Sequence, residues 1–198
     1  MDFITGLPKS SKHNDAIKVV VDKLSKVSHF VPVKSTCKAI DIASIFMKEI
    51  FQLHDIPKKI ISNRDMKFTL RFWKSLMVGF ETKLLFSTTY HPQIDGQTER
   101  VNQILEYMLR MHVMHQPKKW EDYLPLVEFS YNNGYQESLK MIPFKALCGR
   151  QCKIPINWSN PVHRITIGPD MLKEMEQPVI QIKQNLKIAQ NRQNSYAN

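Results

Sequence analysis

The sequence predicts an α/β domain. Three short strands come first, strand and helix then alternate, and a long amphipathic helix follows a polar loop. Met1-Asp2-Phe3-Ile4 opens the first strand, and Gly6, Pro8 and a Lys/Ser cluster make the polar turn after it. Residues 16–22 (Ala-Ile-Lys-Val-Val-Val-Asp) read as a β-branched second strand. Residues 28–34 read as a third, whose Pro32 cannot donate to a ladder and so points to a sheet edge. Three such strands in succession predict a meander. Over residues 41–54, Ile42, Ile45, Phe46, Ile50 and Leu53 recur at helical intervals, giving an apolar stripe to lie on the sheet, and Pro57 closes the region.

Lys59-Ile60-Ile61-Ser62 is an apolar run that stops in polar residues, as a buried strand does where it surfaces. Thr69 is the expected N-cap of a helix carrying Phe72, Trp73, Leu76 and Met77, and residues 83–87 form a short strand. That alternation predicts parallel pairing. A helix over 96–114 places Val101, Ile104, Leu105, Met108 and Met111 inward, with Glu99, Gln103, Glu106 and Arg110 on a polar stripe. Residues 120–132 form a further helix that Asn133-Gly134 stops. Pro143, Pro155, Pro161 and Pro169 then punctuate an irregular stretch. From Leu172 a heptad seam appears, through Met175, Val179, Ile182, Leu186 and Ala189, with a dependable helix from about 178 to 194 after Pro178. The expected organisation is a core over 1–150, an irregular linker over 151–169 and a C-terminal helical extension over 170–198.

A chain of 198 residues can bury one full core and carry one appendage. Its 42% hydrophobic content places it among globular rather than disordered chains. The net charge of +10 favours a polyanionic partner. Three cysteines, Cys37, Cys148 and Cys152, make no disulfide framework, and Cys148 with Cys152 lacks the second ligand pair of a zinc site. No apolar run approaches the roughly 18 residues a membrane helix needs, and the start lacks a signal-peptide pattern.

The candidate chemistry rests on Asp2, position 63 and Glu99. Phosphoryl transfer on a nucleic-acid backbone uses two divalent cations about 3.5–4 Å apart. Magnesium wants hard anionic oxygen, held rigidly when ligands sit on strand ends and a helix turn. Each residue also has an ordinary structural reading. Glu99 in a first helical turn is favoured by the helix dipole, Asn63 suits a turn after a strand, and His91 suits a hydrogen-bonded loop.

Several motifs narrow the choice. They are Met1-Asp2-Phe3-Ile4, Val21-Asp22-Lys23-Leu24-Ser25-Lys26, Ser28-His29-Phe30, Arg64-Asp65 with Phe68-Thr69, and Arg71-Phe72-Trp73. The run from His91 to Arg100, Leu124-Pro125-Leu126-Val127-Glu128-Phe129, Tyr131-Asn132-Asn133 and Pro143-Phe144 with Gly149-Arg150 complete them. Together they resemble the integrase catalytic core of Ty3/gypsy-type LTR retrotransposons, in the retroviral integrase superfamily, over nearly the whole chain. The resemblance implies a ribonuclease H-like fold: a five-stranded mixed sheet with helices on both faces and adjacent first and fourth strands. It implies DNA integration by metal-dependent phosphodiester transesterification with Mg2+ or Mn2+, DNA as partner, a possible homo-oligomer and a nuclear location. By position, Asp2 and Glu99 become the first and third catalytic, metal-binding carboxylates, and the second falls on Asn63.

Asn63 is a departure, because it offers a neutral amide where the family offers a carboxylate. Asp65 lies two residues on, about 6.6 Å along a strand, too far to replace a ligand without rearrangement. Met1 corresponds to an internal methionine of the family, and the flanking zinc-binding and C-terminal domains expected of an integrase are not in the sequence. The expectation is a degenerate, truncated copy with impaired activity, or alternatively a catalytically silent nucleic-acid or protein-binding module of the same fold. For DNA contact the resemblance points to Tyr90, His91 and Gln93 in the active-site loop and to Asn102 and Gln103 on the long helix. Arg64 and Lys67 belong to a basic group with Lys58, Lys59, Arg71 and Lys74.

Overall fold

The computed structural model describes residues 1–63, 65–69, 71–86, 96–150, 180 and 182–191, the side chains of Met66 and Lys67 excepted. Two compact units share the chain. One comprises Met1–Val21 with Ser28–Glu128, the other Asp22–Val27 with Phe129–Asn198.

In the first unit, β1 (Asp2–Ile4), β2 (Ala16–Val21) and β3 (Ser28–Val33) form the expected antiparallel meander, with Pro32 on an edge strand. The register pairs Asp2 with Val19 and Val19 with Phe30, and Phe3 with Lys18 and Lys18 with Val31. Successive side chains alternate faces. Ala16 and Val33 therefore join one core cluster, while Ile17 and Val19, also buried, turn to the opposite face.

β4 (Lys59–Ser62) and β5 (Lys83–Phe86) pair in parallel, as predicted, across a connection that holds α3 (Met66–Thr69) and α4 (Arg71–Gly79). The five strands do not make the single five-stranded sheet that was expected. They form a three-stranded and a two-stranded sheet among the described residues. The reason lies in β1, which is only three residues long. Beside β4, the Met1 ammonium donates to the Ile61 carbonyl at 2.7 Å, but no β1–β4 ladder forms among the described residues.

Helix α1 (Ala39–Phe46) continues through a π-turn at Met47–Phe51 into α2 (Gln52–His54). Ile42, Phe46 and Ile50 are buried as the stripe requires, against Trp73 and Met77 of α4, Phe68 of α3 and Ile60 of β4. Leu53, expected inward, is 65% exposed. The wider π-turn shifts the helical phase before that residue arrives. Thr69, expected to cap the following helix, is the last residue of α3, where the Asp65 carbonyl accepts the amides of Phe68 and Thr69 (3.0 and 3.3 Å).

α5 (Gly96–Val113) buries Thr98, Val101, Leu105 and Leu109, a narrow line at intervals of three and four, while Met111 is 56% exposed. α6 (Trp120–Asn133) buries Trp120, Leu124 and Val127. Its first turn anchors the polar turn after β1. Trp120 Nε1 donates to the Pro8 carbonyl (2.8 Å), and the Glu121 carboxylate accepts Ser10 Oγ (2.5 Å) and Asn14 Nδ2 (3.1 Å) beside Lys12. Burial opposes the Glu121 charge, but those donors outweigh it and hold the carboxyl below its ordinary range.

In the second unit, α7 (Pro143–Cys148) ends at Gly149, whose φ of 77° is a left-handed cap that glycine adopts without strain. Helical residues 182–191 lie inside the expected C-terminal helix. Ile182, Leu186 and Ala189 of the heptad seam pack on Leu139, Met141 and Ala146, so the seam covers its own unit. Leu172, Met175 and Val179 lie outside the described residues. Among the described residues no helix is long and apolar enough to cross a membrane.

Among the residues at positive φ, Asp55 carries backbone strain. Asp55 caps α2 at φ 65°, ψ −177°, a region that side chains other than glycine rarely enter and that costs on the order of 1–3 kcal/mol. Asp55→Gly is expected to raise stability by about 1 kcal/mol, part of the relief being returned through the lost Ile56 N–H to Asp55 Oδ1 bond and the freer unfolded chain. Urea unfolding measures it, and an unchanged or lower midpoint would contradict the strain.

Candidate functional site

Asp2 stands at the start of β1, half-buried, and N–H donors meet both oxygens of its carboxylate. Oδ1 accepts the Asn63 amide and the Phe3 backbone N–H (2.8 Å), and Oδ2 accepts Asn102 Nδ2 at 2.9 Å. Asn63 follows β4 directly, so the β4 strand end brings it to β1, and Asn102 comes from the second turn of α5. The structure thus brings Asp2 and Asn63 together, as the motif spacing requires.

The orientation of the Asn63 amide is set from both sides. Its nitrogen faces the Asp2 oxygen while its oxygen accepts the Asp65 N–H at 3.2 Å. Turning it over would set oxygen against carboxylate and NH2 against N–H.

Glu99 lies in the first turn of α5 and is exposed. It precedes Asn102 by three residues, a spacing that puts both side chains on one face of the helix. Sequence reasoning places Asn102 on the DNA-facing stripe and misses it as a partner of Asp2. The signal available was that interval from Glu99. Among the described residues Asn102 Oδ1 is buried without a hydrogen-bond partner, while Nδ2 makes the contact to Asp2. Gln103, Lys58, Lys59, Arg71 and Lys74 are exposed. Arg64, Tyr90, His91, Gln93 and the side chain of Lys67 lie outside the described residues.

Among the described residues no group of three or more His, Cys, Asp and Glu side chains is placed to hold a metal ion. The donor set explains this. A divalent cation needs oxygen lone pairs, whereas Asp2 is met by N–H groups from two amides, which cannot ligate and which already neutralise part of its charge. The described side chains therefore do not fit a two-cation centre.

The chain is 41% identical, over 145 residues and 73% of its length, to the Transposon Tf2-3 polyprotein of Schizosaccharomyces pombe, strain 972. It is a homologue of the Tf2 retrotransposon polyproteins. The match spans 11% of that relative's length, and the Tf2-4 polyprotein of the same organism matches identically. No protein-family model matches the chain.

Among solved structures, the HTLV-2 integrase catalytic core domain in complex with magnesium, in its trimeric form, superimposes with a TM-score of 0.57 at 15% identity. That match covers 73% of this chain and 92% of the other. The simian T-cell lymphotropic virus intasome in complex with PP2A regulatory subunit B56 gamma gives a TM-score of 0.61 at 14% identity, covering 84% of this chain and 58% of that one. This Tf2 homologue therefore has the ribonuclease H-like α/β fold of retroviral integrase catalytic cores, and the resemblance read from its motifs is borne out at that level.

Proposed function

We propose that the chain is the catalytic-core region of a retrotransposon integrase, with DNA as its partner, and that Asn63 disables its metal centre. The observation that carries the reading is the Asn63 amide donating to Asp2, at the strand-end position where the resemblance expects the second carboxylate. Asp2 and Glu99 remain as the first and third members, and Asn102 positions Asp2 between two amides. When bound, magnesium or manganese supplies charge stabilisation at the reacting phosphodiester. In a complete centre Asp2, a carboxylate at position 63 and Glu99 would hold it; with a neutral, wrongly presented group at position 63 the described side chains do not fit it. Nuclear location and self-association follow from the family reading, since the HTLV-2 core is described in trimeric and dimeric forms.

The test compares the parent with Asn63→Asp for Mn2+ binding by calorimetry and for joining and disintegration of branched DNA substrates. The revertant is expected to bind Mn2+ at least tenfold more tightly and to gain phosphodiester transfer that Glu99→Gln abolishes. A parent that already transfers strands as well as the revertant would refute the assignment of Asn63 as the lesion.

A second reading, a catalytically silent nucleic-acid-binding module, is favoured by the net charge of +10 and the exposed lysines at 58, 59 and 74. It expects weak, sequence-tolerant duplex binding whose affinity falls by at least tenfold between 50 and 200 mM salt, because the contacts would be to phosphate. Fluorescence anisotropy on two unrelated duplexes measures this. Salt-independent affinity, or none at low salt, would remove the basis for this reading.

A further inference from the structure

The solvent face of α5 carries an apolar stripe that the Asp2 site does not use. Tyr107, Met111 and Met114, the last just past the helix end, are 65%, 56% and 75% exposed. They recur at intervals of four and three, as one face of a helix does. At about 100° per residue, Tyr107 and Met111 stand opposite the buried line through Leu105 and Leu109 and roughly 90° round the helix from Glu99. Single exposed apolar residues are ordinary on a protein surface, whereas a contiguous run of large ones marks a surface that binds something.

The same face is cationic. Arg100 falls two turns before Tyr107 on this side, Arg110 flanks the stripe, and Lys118 and Lys119 follow in the 3-10 turn Pro117–Lys119; all four are exposed. From Tyr107 to Lys119 the sequence has no aspartate or glutamate. Arg110 pairs with Glu106 at 3.7 Å, a solvent-exposed contact that contributes little and that a partner carboxylate can replace.

Charge and stripe together select the partner. A phosphate track uses the cations but gains nothing from two methionines. A bilayer surface needs a broader apolar face than three side chains supply. An acidic amphipathic helix matches both features, with apolar residues at i, i+4 and i+7 for the stripe and carboxylates for the arginines and lysines around it. Tyrosine, methionine and arginine are enriched at protein interfaces, and methionine adapts its shape to what it meets.

We propose that this face of α5 docks an acidic amphipathic helix of a partner protein, with Tyr107 and Met111 as its apolar anchors. The surface is separate from the Asp2 centre and does not depend on the integrase reading.

The test is fluorescence anisotropy of the full chain with a labelled peptide of about 18 residues, built from Ala and Glu with Leu at i, i+4, i+7 and i+11. A scrambled peptide of the same composition, duplex DNA and phosphatidylserine vesicles are the comparisons. The patterned peptide is expected to bind about tenfold more tightly than the scrambled one, and Tyr107→Ala and Met111→Ala each to weaken it by about tenfold. Arg110→Glu should weaken both peptides, because it acts on charge. All three side chains are exposed, so the variants keep the fold, and their affinity for duplex should match the parent. Failure of the patterned peptide to bind, or equal binding of the two peptides, overturns the proposal. So does a Tyr107→Ala, Met111→Ala double variant that loses duplex or vesicle binding and keeps the peptide.

Discussion

Lys18→Met is expected to stabilise the protein by about 2–4 kcal/mol at pH 7 and to flatten the rise of its stability toward alkaline pH. Lys18 lies on the middle strand β2 with its side chain in the core, 1% exposed. Its ammonium has one backbone acceptor, the Ile42 carbonyl at 3.4 Å, and the faces of Phe46 and Trp73 at 4.4 and 5.5 Å from Nζ to the ring centroids. No carboxylate appears among these contacts. Burial therefore dominates and pulls the Lys18 pKa down from 10.5 to about 7.

The sign comes from proton counting. Between pH 7 and 10.5 the unfolded chain carries a proton on Lys18 that the folded chain has shed, so stability rises with pH across that window. The stabilisation is fully present above 10.5 and lost as pH falls through about 7, a span corresponding to roughly 5 kcal/mol. Methionine fills a similar volume with no charge to desolvate. Urea unfolding of parent and variant at pH 7 and pH 9.5 measures the difference, which should shrink at the higher pH. Parallel behaviour at the two pH values would mean that Lys18 does not change its charge on folding. The comparison also cancels Lys26, whose pKa burial lowers to about 8 in both proteins.

The Asn63→Asp change carries the second large effect, on stability in the absence of metal. In the parent the Asn63 amide donates to Asp2 Oδ1, so the pair is attractive. An aspartate there sets two half-buried carboxylates against each other and removes a charge-assisted hydrogen bond. The expected loss in chelator at pH 7 is about 2–3 kcal/mol. At pH 5 one proton shared between the two carboxylates should recover part of that loss, because the crowded pair holds a proton more tightly folded than unfolded. That contribution is present at acid pH and disappears as pH rises. Millimolar Mn2+ should restore stability to the variant and do little for the parent. Thermal unfolding in chelator and in Mn2+ measures both arms. A variant as stable as the parent in chelator would show that Asp2 and position 63 are not in contact.

Much of the architecture was legible in the sequence because it depends on local periodicity. The β-branched run at 16–21, the edge-marking Pro32, the strand–helix–strand alternation from 59 to 86 and the long helix from Gly96 all appear where the pattern places them. The misses share a physical cause. The burial of Leu109 instead of Met111 depends on where α5 meets β1 and β2, and the exposure of Leu53 depends on a π-turn that no residue type announces. The C-terminal seam announced a packing surface, but a heptad pattern does not say on what it packs; Leu139, Met141 and Ala146 answer that.

The sequence by itself determined that this is an α/β chain with an integrase-like set of motifs and an asparagine at the second carboxylate position, since composition, spacing and residue identity are one-dimensional properties. Only the tertiary structure decided that Asn63 turns its NH2 toward Asp2, that Asn102 completes the clasp, that His29 and Glu128 meet, and that Lys18 is buried. Hydrogen-bond direction and desolvation depend on which groups from distant segments arrive at the same point, and residues 61, 100 or 99 positions apart carry no mark of that meeting until the chain is folded.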